Sequence, residues 1–243
     1  MFFVGVDLAW GRRSPTGVAA VDARGVLCHV GVAAGDDDLQ AQLEPFVRGE
    51  CVVAIDAPLV VTNPKGNRPC EAELNRAFRR FDAGAHPANT GLAWFADGGR
   101  GAQLCAALDL ELDPRAPARR RALEVYPHAA SVVLFGLPKT LKYKQKAGRD
   151  FALLRSELTR LMGLIESLAS ATPGLDVGAG GWAELRDAVG SATRKSDLRR
   201  AEDPVDAVLC AYIARFFVER PADVTVYGDA QTGCIVTPTP SGD

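Results

Sequence analysis

The strongest constraint on how this chain can fold is one acid inside an apolar N-terminal run, "MFFVGVDLAWG". Phe2, Phe3, Val4, Val6, Leu8 and Trp10 place apolar side chains at both parities, as a strand covered on both faces requires. Asp7 sits in the middle of that run. Taking an unpaired carboxylate out of water costs several kcal/mol, so a buried Asp7 must either protonate or meet a cation.

The segments that follow supply a sheet for this strand. "RRSPTG" is a turn, and "TGVAAVDA" and "GVLCHVGVAA" read as two strands joined around residues 22–25. "DDDLQAQLEPFV" has acids in its first turn and Leu39, Leu43, Phe46 and Val47 at helical spacing. "CVVAIDAPLVV" is a short apolar strand that ends in Asp56. Three strands in antiparallel succession, a helix and a buried strand predict a mixed sheet with helices packed on it. The expected order makes the first and fourth strands neighbours.

Residues 63–120 change character, with abundant Gly, Pro and Arg and only short helical patches such as "CEAELNRAFRRF". They read as an insertion within a single domain spanning 1–243, a length that suits one large domain. "RALEVYP" is a further strand holding Glu124. A long helical pattern covers 149–171, "GWAELRDAVG" is a shorter helix, and "DPVDAVLCAYIARFFVER" is the last long one, with Pro204 expected at its first position. "DVTVYG" and "GCIVTP" are two closing strands.

Composition excludes several classes. No apolar run approaches the roughly 18 residues of a membrane span, and the N-terminus carries no signal-peptide pattern, so a cytoplasmic protein with no membrane partner is expected. The six cysteines form no CxxC pair and read as reduced core thiols, and three scattered histidines make no metal site. A net charge of −2 argues against broad binding to long DNA. That average conceals separate regions: residues 1–60 hold eight acids against four arginines, whereas "KTLKYKQKAGR" at 139–149 holds five cations and no acid. A second basic cluster, "RKSDLRR", lies at 194–200.

Asp7 and Asp56 on adjacent strands can be joined by Asp203 and Asp206, which share one helix face at i and i+3, and by Glu124. Converging carboxylates repel unless cations sit among them, and Mg²⁺ or Mn²⁺ prefers oxygen ligands. Each acid also has a plainer role. Asp203 and Asp206 suit a helix cap, Asp56 a turn before Ala57–Pro58, and Glu124 an ion pair with a nearby arginine.

Taken together, "GVDLAWG", "VAIDAPL", "NRPCEAELNR", "EVYPHAA", "KYKQKAGR", "DPVDAVLCAYIA" and "GCIVTP" resemble the family known as domain of unknown function 429, described as predicted RNase H-like nucleases. The resemblance implies an α/β ribonuclease H-like fold, a mixed five-stranded sheet whose second strand is antiparallel to its neighbours. It also implies metal ligands of the RuvC-resolvase pattern at the first strand, the fourth strand and the last helix. Carried onto this chain these are Asp7, Asp56, Asp203 and Asp206, with Asp56 standing where resolvases commonly have Glu and Glu124 outside the four-acid pattern. The function implied is hydrolysis of phosphodiesters in nucleic acid with Mg²⁺ or Mn²⁺. Asp7 would bridge two ions, Asp56 hold one, and Asp203 with Asp206 hold the other.

Substrate phosphates need cations, for which Arg68, Arg76, Lys142, Lys144, Lys146 and Arg149 are the candidates, and Tyr143 could stack on a base. The alternatives are a solvated basic face, an actin- or sugar-kinase-like ATP-dependent phosphotransferase, and a non-catalytic nucleic-acid-binding protein of the same fold. Ala9 and Trp10 occupy the place where such kinases carry small residues beside phosphate. The sequence leaves the oligomeric state open, a homodimer included.

Overall fold

The computed structural model describes residues 1–11 and 14–240; Arg12 and Arg13 of the expected "RRSPTG" turn lie outside the described residues. Five strands, β1 (Phe2–Asp7), β2 (Thr16–Asp22), β3 (Leu27–Ala33), β4 (Cys51–Ile55) and β5 (Arg120–Glu124), form one sheet in the order β3-β2-β1-β4-β5. β2 runs antiparallel to both β1 and β3, while β1, β4 and β5 are parallel. This is the mixed RNase H-like arrangement. β6 (Val224–Asp229) and β7 (Gly233–Pro238) pair as a separate hairpin beside β5, bridged through Val125 and Val236.

Strand alternation divides the side chains between two cores. Val4, Val6, Val53 and Ile55 pack under α1 (Asp36–Val47) and α3 (Gly99–Ala107). Phe3, Val52 and Ala54 face the opposite side, where α7 (Lys195–Glu219) lies against the sheet and α5 (Phe151–Ser167) and α6 (Trp182–Ser191) cover α7. Residues 203–214 of α7 are buried without interruption, as expected for a helix enclosed on all sides. α2 (Pro69–Phe78) and α3 lie in the crossover from β4 to β5, which is the predicted insertion at 63–120.

Glycine lets α7 approach this closely. A Cβ at Gly5 would collide with the carbonyl of Ala207, and one at Gly17 with the carbonyl of Asp203. Gly17 is the register partner of Asp7, so the same bare patch of sheet draws the acidic part of α7 over the end of β1.

Three expectations are corrected. Asp7 is the last residue of β1, not a mid-strand residue. Helix α7 begins at Lys195, well before Asp203, through a capping box in which Asp197 bonds back to Arg194. Pro204 is therefore internal, and its missing N–H leaves the Arg200 carbonyl without that intrahelical donor. A short helix, α4 (Pro127–Leu134), follows β5 where the sequence reading placed none. Among the described residues no helix is long and apolar enough to cross a membrane. Five cysteines are buried and Cys28 is exposed.

Candidate active site

Asp7 and Asp56 meet because β1 and β4 are parallel and in register. Val6 pairs with Ile55, and the Asp56 N–H continues the ladder to the Val6 carbonyl at 2.8 Å. Alternation turns both carboxylates to the α7 face, at the carboxyl ends of the strands, the usual ligand-binding edge of open α/β sheets. Asp203 and Asp206 descend onto the same spot from α7. The plainer helix-cap role for these two is ruled out by the helix start at Lys195.

The group among these acids is Lys144. Its Nζ lies 2.9 Å from Asp7 Oδ2, 3.4 Å from Asp203 Oδ1 and 2.5 Å from Asp206 Oδ2. The Tyr143 hydroxyl donates to Asp206 Oδ1 at 2.7 Å. Arg199 donates to Asp203 Oδ1 at 2.9 Å and to Glu202 Oε2 at 3.1 Å. Lys144 and Tyr143 thus depart from their expected substrate roles. The lysine is a counter-ion to the aspartates, and the tyrosine is buried with its hydroxyl committed.

The cations nevertheless fall short of the acids. Asp7, Asp56, Glu202, Asp203 and Asp206 bring five carboxylates against the two charges of Lys144 and Arg199. Asp206 Oδ2 touches the lysine at an angle that makes no hydrogen bond, and Glu202 Oε1 has no donor. The Asp56 carboxylate accepts no hydrogen bond and joins no ion pair among the described residues. Titration reflects the shortfall. Burial, then Asp7 and Asp206, holds Asp56 well above the usual carboxylate range. Burial also raises Asp7 and Asp203 in spite of Lys144, and it lifts Glu202 to about 7. Lys144 is itself raised, because Asp206 and Asp7 outweigh the burial that opposes its charge.

A cavity of about 620 Å³ opens over this cluster. Trp10, Tyr126 and His128 line it together with a rim of Lys142, Lys146 and Arg149. Lys142 leans toward Asp82 at 3.8 Å, and Arg149 uses one N–H to hold the Lys144 carbonyl at 2.7 Å, fixing the loop that carries the lysine. Burial, reinforced by Lys144 and Lys146, lowers His128 to about 3, so its ring is neutral.

Two predicted site residues have other partners. Glu124 pairs in register with Ile55, whose side chain lies in the α1 core, so alternation puts Glu124 on the sheet face opposite Asp7 and Asp56, although it borders the same cavity. Its carboxylate accepts both Arg68 terminal nitrogens, at 2.9 and 2.5 Å, and the Leu59 N–H at 2.9 Å. Arg68 in turn donates Nε to Glu71 at 2.9 Å and is 1% exposed, leaving no face for phosphate. These two are structural rather than ligand and phosphate contact. Arg76 is exposed on α2, away from the cavity lining.

The chain matches the family described as "Protein of unknown function (DUF429)" over residues 5–232. It belongs to that family. No curated protein and no solved structure matches the chain.

As they stand around Lys144, no three His, Cys, Asp or Glu side chains among the described residues are arranged to hold one ion. Their chemistry nonetheless fits a hard divalent cation. The donors are carboxylate oxygens, Asp206 Oδ2 meets only the Lys144 ammonium, and among the described residues Asp56 accepts no hydrogen bond and joins no ion pair. The condition is that Lys144 withdraws. Its side chain is 20% exposed, so a path to solvent exists.

Sequence reasoning missed Glu202, Arg199, Tyr126 and His128. The last two stand in "EVYPHAA", and Arg199 and Glu202 flank Asp203 at helical spacing. That face became visible only once α7 was known to start before them.

Proposed function

We propose that this family member is a divalent-metal-dependent nuclease that hydrolyses phosphodiester bonds in nucleic acid. The observation that carries the reading is the charge shortfall at the carboxyl ends of β1 and β4, where two cations pair with four carboxylates and a fifth, Asp56, has no ion pair among the described residues. Asp7, Asp56, Asp203 and Asp206 would hold Mg²⁺ or Mn²⁺, which when bound supplies the Lewis acidity and positive charge that attack of water on phosphorus requires.

The chain's own groups do the rest. Asp7 ends β1 and Asp56 directly follows β4, so the sheet ladder fixes the backbone positions from which both carboxylates reach the site. Lys142, Lys146 and Arg149 on the rim attract the phosphates flanking the scissile bond. Lys144 keeps the acids together without metal and, once released, is a further cation for the same backbone. Trp10 packs edge-on against Phe95 at 4.9 Å, filling the first hairpin where a kinase needs open backbone for phosphate, so nothing favours the phosphotransferase reading.

The test is cleavage of labelled single-stranded, double-stranded and branched DNA and RNA with Mg²⁺ or Mn²⁺. Cleavage that a chelator stops and that Asp7→Asn or Asp56→Asn abolishes is expected. Cleavage that survives both substitutions, or none with any substrate, contradicts the proposal.

A further inference from the structure

Next to the acidic cleft lies a second cavity of about 450 Å³, within the size range of small-ligand pockets. Trp10 lines both cavities and forms the wall between them. On the far side stands Trp94, 54% exposed, with its ring centroid 6.3 Å from that of Trp10. Its exposed indole offers a flat face on which an aromatic ligand can stack and a polar edge that stays in water.

The second cavity also holds an unused donor. Arg100 lines it at 6% exposure, giving Nε to Asp36 at 2.7 Å and Nη1 to the Ala9 carbonyl and Thr16 Oγ1 at 2.9 and 3.0 Å. Its Nη2 is buried and has no acceptor among the described residues. Through Ala9 this arginine anchors the residues that follow Asp7, so the second cavity is fixed relative to the acids. Asp97, Gln103 and Ser14 complete the polar lining.

We infer that Trp94, braced edge-on by Trp10 with their ring planes 62° apart, is a stacking platform for one nucleobase of a polynucleotide strand whose backbone crosses the acidic cleft. This rests on the nuclease reading proposed above. The chemistry selects a base over a phosphate. Asp97 repels a phosphate, yet it accepts from the amino or imino groups of a base. Stacking is tolerant of sequence, because every base has a π-face. A strand therefore gains a hold beside the scissile position without a sequence code. A partner protein or a second copy would use the exposed indole equally well, but neither accounts for the wall shared with the cleft.

The experiment is equilibrium binding of short unstructured DNA and RNA oligonucleotides in the presence of a chelator, so that cleavage plays no part. Wild type, Trp94→Ala and Trp94→Phe are compared, with an abasic oligonucleotide of equal length as control. Trp94→Ala should weaken binding roughly 5- to 150-fold, the range for one stacked base. Trp94→Phe should keep most of the affinity, and the abasic strand should bind both wild type and Trp94→Ala equally weakly. Equal affinity of wild type and Trp94→Ala for the base-bearing strand overturns the platform, as does equal binding of abasic and base-bearing strands by wild type. So does sedimentation showing that Trp94→Ala dissolves a dimer while leaving oligonucleotide affinity unchanged. Absence of all binding by wild type also overturns the platform, while metal-dependent cleavage in the separate assay stands or falls on its own.

Discussion

Two buried acidic clusters lie close together in this protein and are satisfied very differently. In the first, Arg68 is clamped between Glu71 and Glu124, and backbone N–H groups of Leu59, Arg68 and Ala88 fill the remaining carboxylate positions. In the second, Lys144 and Arg199 are shared among Asp7, Glu202, Asp203 and Asp206, while among the described residues Asp56 accepts no hydrogen bond and Glu202 Oε1 has no donor. The first is closed: each charge has a partner of fixed geometry, and adding an ion would only disrupt it. The second stores repulsion that folding alone does not relieve. Local satisfaction, rather than the mere presence of acids, separates a structural ion network from a candidate site.

The sharpest way to break the contrast is to remove the cation of the closed cluster. Arg68→Met strands two buried carboxylates, and the cost should be roughly 3–5 kcal/mol. At 2–4 °C per kcal/mol that is a fall in Tm of roughly 6–20 °C. Thermal melts with and without Mg²⁺ should show the same loss, since no ion belongs there; recovery with Mg²⁺ would merge the two clusters into one. Lys144→Met, the matching change in the open cluster, should destabilise the metal-free protein less, by roughly 1–3 kcal/mol, because the acids can take up protons instead. It should also tighten Mn²⁺ binding in isothermal titration and regain its stability when metal is added. Weaker Mn²⁺ binding would make Lys144 a partner of the metal rather than its competitor.

Acidity sharpens the contrast with a smaller effect. Glu202 ordinarily titrates at 4.5 and in the fold at about 7, so between those values the folded state binds more protons than the unfolded chain. Stability of the metal-free protein should therefore decline as pH rises from about 4.5 to about 7, with Asp7, Asp56 and Asp203 shifting in the same direction. Melts across that range should show it, and Mg²⁺ should reduce the decline; a flat profile would mean that the repulsion is already relieved. The smallest change in the metal-free protein is expected for Asp56→Asn. Its stability should stay within about 0.5 kcal/mol of wild type or rise, since no bond is lost. Its gain in Tm on adding Mn²⁺ should disappear.

Most of the sheet could be read from the sequence, because turn residues and apolar parity are local signals. The hairpin of β2 and β3 and the antiparallel second strand follow from them, whereas the adjacency of β1 and β4 is expected from the element order of a mixed sheet. The start of α7 could not be read the same way. Asp203 before Pro204 looks like a helix beginning, and "RKSDLRRAE" looks like a solvated charge cluster. Only the glycine-bared patch at Gly5 and Gly17 shows why the helix continues through its proline. Glu124 was ambiguous for a related reason. β5 reads RRALE, with an arginine and one apolar residue at each parity, so the sequence does not say which face the acid takes, and only the register with Ile55 decides it. Lys144 looked like one cation of a basic run, and its insertion among acids 59 and more residues away is a property of the tertiary structure alone.

The most direct test of the open cluster is the anomalous signal from a crystal of the wild-type protein soaked in Mn²⁺. The account predicts manganese within oxygen-ligand distance of Asp7 and Asp56 and of at least one of Asp203 and Asp206, with the Lys144 ammonium displaced from all of them. Lys144 still bonded to Asp7 and Asp206, with no manganese beside them at saturating Mn²⁺, would contradict it.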